Sequence, residues 1–174
     1  MLQATISVIF CYTLLCLSNF VELPLWSFDP TTGALTSYDY RLLYIVCFIL
    51  STSFRNNYAL IAVGLYLISG LAGLPIFAFG GGVNYVFEPS FGYLLGLIPL
   101  SLLAFYAKIH IPEIGVRTFR DRSVLPLMGL VIAHGLGLIY LLVTQRLDLS
   151  NFASMSLYQI FYDIFLAHLV IIAL

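Results

Sequence analysis

The stretch SGLAGLPIFAFGGGVNYVFEPSFGYLLGL, Ser69 to Leu97, decides how this chain is read. It holds seven glycines, two prolines and a Gly-Gly-Gly run. It joins two segments, 58–79 and 91–107, that are apolar enough to enter a bilayer as helices. Glycine and proline are the poorest residues for a helix interior, so the stretch predicts a non-helical turn between two spans. Non-helical backbone near a membrane survives where protein buries it or where it lines a wet cavity. The polar residues Asn84, Tyr85 and Glu88 in the turn fit the second case.

Composition supports the membrane reading along the whole chain. Of 174 residues, 61% are hydrophobic and 9% charged, against about 25% charged in soluble domains. Too few polar side chains exist to cover a water-facing surface. The expected fold is an all-α integral membrane protein, one domain over residues 1–174, built as a compact bundle of six transmembrane helices. The expected spans are 2–21, 38–54, 58–79, 91–107, 124–144 and 152–174. No run alternates as a barrel strand would. The first segment lacks a positive n-region and a small-residue cleavage site, so it is expected to stay as a helix.

Charge placement gives an orientation. Five of the seven basic residues, Arg55, Lys108, Arg117, Arg120 and Arg122, fall between spans two and three or four and five. Arg41 and Arg146 fall in the other loops. The positive-inside rule then predicts both termini in the cytoplasm. Loops 22–40, 80–90 and 145–151 lie outside and roof one site. The inner loop KIHIPEIGVRTFRDRS, Lys108–Ser123, reads as topology signal and lipid-headgroup contact. The net charge of −1 says nothing about partners, and no basic stripe points to nucleic acid, so none is expected as a partner. Cys11, Cys16 and Cys47 sit inside apolar runs and read as small packing residues. No Cys/His spacing suggests a metal.

The glycine loop is the first half of a candidate ligand site. Gly81 and Gly82 allow positive φ and close backbone approach. Asn84 offers a donor and an acceptor suited to a urea-like group. Tyr85 and Tyr93 supply walls. The second half comes from the last span. Asp163 is an ionisable residue at membrane depth, which marks a functional candidate. Gln159, four residues earlier, shares its helix face. Asp163 is suited to accept N–H donors from a ureido ring, or else to bond a neighbouring tyrosine. Asn19 and Glu22 sit where they could face the same vestibule. His134 and His168 are expected to be packing histidines. Gly92, Gly96, Gly129, Ala133 and Gly137 are spaced four apart for close helix contact.

These residues carry a resemblance. Tyr66, Gly70, Gly73, Pro75, Phe77, Ala78, the glycine run, Pro89, Gly92, Tyr93 and Gly96 resemble the signature of the BioY family. Members are substrate-binding S components of energy-coupling-factor (ECF) biotin transporters. The resemblance implies high-affinity biotin capture and uptake in a multi-pass plasma-membrane protein. It also implies a transmembrane coupling subunit and two cytoplasmic ATPase subunits as partners, because the chain has no nucleotide site. Biotin would be cargo, so no cofactor is expected and the chain is no enzyme. The last span keeps an acid at Asp163 but has Leu166 where the family pattern places a lysine. Span one has only Ala4, Ser7 and Cys11 as small residues on the face by which the family meets its coupling subunit. Two alternatives stand beside this reading. One is an S component for a different vitamin-like ligand. The other is an intramembrane aspartyl hydrolase using Asp148 and Asp163.

Overall fold

A computed structural model describes residues 2–28, 35–54, 56–111, 117–144, 163–167 and 169. Helix α1 runs Leu2–Ser18 and is followed by a hairpin of β1, Glu22–Phe28, and β2, Leu35–Arg41. Helices α2, Leu43–Ser53, and α3, Tyr58–Leu71, come next. A 3-10 turn at Val83–Phe87 leads into α4, Phe91–Leu95, and α5, Leu97–His110. Helix α6 spans Arg117–Val143, and residues 163–167 are helical again. Two stretches are long and apolar enough to cross a membrane by themselves: Phe91–His110, 20 residues, and Ser123–Val143, 21 residues. The helices α1, α2 and α3 are shorter and apolar.

The hairpin corrects the expected start of the second span. Residues 38–41 belong to β2, and α2 begins only at Leu43. The segment ELPLWSF pairs antiparallel with LTSYDYR, Glu22 opposite Arg41 and Phe28 opposite Leu35. Aromatic and β-branched residues favour strands, and the intervening Asp29, Pro30 and Gly33 are turn formers. At the hairpin base, Arg41 Nε and Nη2 both donate to Glu22 Oε1, at 3.0 and 2.8 Å.

The third span is also shorter than expected. Helix α3 stops at Leu71, not at Phe79. Gly73 takes φ 110°, a left-handed conformation that ends a helix at little cost in glycine. Pro75 follows and cannot resume the ladder. The fourth span breaks between α4 and α5 at Gly96 and continues to His110.

Helix α6 packs along α4 and α5, and the expected glycine spacing is the reason. A Cβ on Gly92 would lie 2.2 Å from Tyr140 Cβ, and one on Gly96 would lie 2.5 Å from Ala133 Cβ. A Cβ on Gly129 would lie 2.7 Å from Leu100 Cα, and one on Gly137 2.5 Å from the Tyr93 ring. The pairs 92–140, 96–133 and 100–129 run in opposite directions, so the helices are antiparallel. Helix α2 sits against α1, α3, α5 and α6. Its Leu43, Tyr44, Cys47 and Phe48 are buried in the core with Leu15, Tyr66, Leu97, Leu100 and Leu130.

Candidate functional site

The glycine loop closes on itself. Phe77 and Gly80 form a two-residue bridge, with N–H to O distances of 3.0 and 3.1 Å. The Gly82 N–H donates to Gly70 O at 2.7 Å. Gly81 lies so close to the chain before it that a Cβ would stand 2.1 Å from Leu74 O. These glycines serve the loop's own backbone contacts. The N–H groups of Gly82, Tyr85, Glu88 and Phe91 all find carbonyl partners within the segment or on Gly70.

Neighbouring helices pin the loop. Asn19 Nδ2 donates to Ile76 O at 3.0 Å, and the Tyr66 hydroxyl donates to the same oxygen at 3.3 Å. Asn19, expected to face a vestibule, is instead buried as a strut. The Tyr140 hydroxyl of α6 donates to Val86 O in the 3-10 turn. The Arg41 guanidinium lies over the Phe79 ring, 5.3 Å from its centroid, so the hairpin base touches the loop. Glu22 is engaged by Arg41. Two of the three loops expected to share one end therefore do so. The third, 145–151, lies outside the described residues.

Asn84 and Gly81 are exposed on this rim, and Gly82 is half-buried. Tyr85 is buried; its hydroxyl lies 2.9 Å from Ser90 Oγ, and its ring sits 4.7 Å from Phe77. Phe77 in turn meets Tyr66 edge-on at 5.3 Å. This aromatic column leads from the rim into the bundle.

The second half of the expected site lies within the bundle. Asp163 is fully buried, and His134 is 2% exposed. His134 Nε2 stands 2.8 Å from Asp163 Oδ2. The approach is off the N–H axis, so the two groups meet as a close polar contact and not as an aligned hydrogen bond. Tyr44 tilts over the imidazole with ring centroids 5.0 Å apart, and Tyr93 meets it edge-on at 6.1 Å. The Tyr44 hydroxyl donates to Tyr93 O at 2.6 Å. Among the described residues, four separate segments supply the cluster: α2, α4, α6 and 163–167.

The expected site residues thus fall into two groups. Gly81, Gly82, Asn84 and Tyr85 form the loop group. Tyr93 and Asp163 join the buried group. Gln159, His168 and Asp148 lie outside the described residues. His134, expected as a packing residue, also makes a close polar contact with Asp163. A signal existed: a lone acid in a low-dielectric bundle needs a partner, and His134 is the ionisable residue midway along an adjacent span. Tyr44 carried no signal, since a tyrosine in an apolar run reads as core.

Comparison with known proteins agrees with this architecture. A solved structure, the S-component for biotin from an ECF-type ABC transporter, superposes with a TM-score of 0.73 over 99% of this chain and 88% of that one. Sequence identity to it is 20%, so this likeness speaks for the fold. A probable biotin transporter BioY of Lysinibacillus sphaericus is 35% identical over 92 residues, 53% of this chain. That match spans 45% of the relative's own length. The sequence pattern of the BioY family covers residues 2–174. With the pattern matched from the first helix to the last residue, the chain belongs to the BioY family.

Proposed function

We propose that this chain captures biotin at the outer face of the plasma membrane and serves as the S component of an ECF-type vitamin transporter. The observation that carries the reading is the family match over residues 2–174. The names of the two similar proteins support it. A ligand would enter past the rim where Asn84, Gly81 and the Arg41–Phe79 contact meet, and would settle toward Tyr93, His134 and Asp163. Asn84 has the donor and acceptor that a ureido group needs. In this reading the protein crosses the membrane several times with both termini inside. It hands its ligand on with a transmembrane coupling subunit and two cytoplasmic ATPase subunits. The second acid of the hydrolase alternative, Asp148, lies outside the described residues; among those described, the ionisable side chain 2.8 Å from Asp163 is His134.

The test is equilibrium binding of biotin to the purified, detergent-solubilised protein, with thiamine and riboflavin as controls. Selective biotin binding is expected. A folded protein that ignores biotin overturns the assignment.

A further inference from the structure

Charge is divided unevenly between the two ends of this bundle. The hairpin base, the glycine loop and the end of α6 meet at one end: Arg41 lies over Phe79, and the Tyr140 hydroxyl donates to Val86 O. The chain that serves this end carries six of the eight acids: Glu22, Asp29, Asp39, Glu88, Asp148 and, within the bundle, Asp163. Against them stand two basic residues, Arg41 and Arg146, which leaves a net charge of −4. The other end, where the Lys108 ammonium donates to Phe54 O, has five basic residues and two acids, a net of +3. No lysine or arginine occurs in residues 1–40, 42–54, 56–107, 123–145 or 147–174.

A carboxylate entering at the glycine-loop end would find no cation to spare among the described residues. Arg41 already directs Nε and Nη2 at Glu22 Oε1. Deeper in, Asp163 is fully buried and His134 stands 2.8 Å from it, so the pair offers an anion at best a neutral partner. Leu166, one turn beyond Asp163, is apolar. Backbone amides do not stand in for a cation here: the N–H groups of Gly80, Gly82, Tyr85, Glu88 and Phe91 already bond carbonyls. An unpaired charge in such surroundings is expensive. A neutral amide or ester costs far less to bury.

We infer that this chain selects a ligand whose tail carries no negative charge: an amide or ester of biotin in preference to the free acid. Two effects act in the same direction. The acids around the mouth lower the local concentration of anions and slow their approach, an effect that salt screens. The interior then offers a bound carboxylate no compensating charge, an effect that salt reaches much less. A neutral tail meets neither obstacle.

The inference rests on the reading of the chain as a biotin-capturing subunit, and the experiment separates the two. Dissociation constants for biotin, biotinamide and biotin methyl ester are measured on the purified wild-type protein at about 0.01 M and about 0.15 M salt, where the Debye length falls from about 30 to about 8 Å. Biotin should bind, but the amide and the ester should bind at least about tenfold more tightly. Added salt should narrow the gap by helping biotin and should leave the amide unchanged. Glu22→Gln removes one acid and releases Arg41, so it should tighten biotin and not the amide. Biotin binding as tightly as the amide, or a gap that salt widens, overturns the inference and leaves the function standing: the tail would then lie in water or on a cation. An equal change for biotin and the amide in Glu22→Gln likewise overturns the charge argument. The salt arm uses the wild type, so misfolding of Glu22→Gln cannot hide the result. Failure to bind any of the three compounds sinks the functional reading and the inference with it.

Discussion

The Tyr44 hydroxyl and the Tyr93 carbonyl meet at 2.6 Å, and that bond joins α2 to α4 beside the buried acid. Tyr44 is 4% exposed, so water cannot replace it. Its ring also covers His134. Tyr44→Phe keeps the ring and removes the bond, leaving the Tyr93 carbonyl without this donor. The carbonyl keeps the Gly96 N–H at 3.0 Å, so the loss is that of one hydrogen bond, about 0.5–1.5 kcal/mol. Thermal unfolding in detergent should therefore show a lower midpoint, and biotin affinity should fall as Tyr93 shifts. An unchanged midpoint would mean that the bond contributes nothing net.

Glycines of the same span region should differ sharply. Gly81→Ala drives a Cβ into Leu74 O, at 2.1 Å, in a loop that cannot give way without breaking the Gly82–Gly70 bond. The expected cost is on the order of 1–3 kcal/mol. Gly64→Ala in α3 meets nothing within 4 Å and should be neutral or slightly stabilising. Equal effects from both would show that the loop is not held as tightly as its contacts imply.

Orientation is open to labelling on intact cells. Asn84 on the loop and His110 at the end of α5 are both exposed and lie at opposite ends of the 91–110 stretch. Cys11 and Cys47 are buried and Cys16 half-buried, so the native thiols make a quiet background. Asn84→Cys should react with a membrane-impermeant maleimide from outside, and His110→Cys should react only after permeabilisation. The reverse pattern would place both termini outside.

Much of this was legible in the residues because the signals were local. The break at Ser69–Leu97 follows from glycine and proline, and the α4–α6 seam follows from small residues four apart. The hairpin was missed because β1 and β2 are seven residues each and lie among loop residues. Strand pairing is a non-local choice that neither segment announces alone. The helix ends at Ser18 and Leu71 were overrun because apolar residues continue past them, and hydropathy cannot tell a helix from an apolar turn. The His134–Asp163 contact was illegible for a different reason. It depends on which helix lies opposite, and the approach of 163–167 to α6 is a product of the fold.

The last prediction uses that approach. Gly96 faces Ala133, the residue before His134, and an added Cβ would lie 2.5 Å from the Ala133 Cβ and 2.6 Å from its Cα. Gly129 faces Leu100 farther along the same seam, where an added Cβ would lie 2.7 Å from a backbone atom. Both substitutions to alanine wedge α6 away from its partner, and both should cost stability to a similar degree, about 1–3 kcal/mol. Their effects on ligand capture should differ. Gly96→Ala shifts the backbone that carries His134 and should weaken biotin binding well beyond its cost in stability. Gly129→Ala acts about one turn away and should bind nearly as the wild type does at temperatures where it stays folded. Binding constants measured alongside unfolding midpoints decide the matter. Parallel losses in the two variants would mean that capture depends on the seam as a whole and not on the placement of His134.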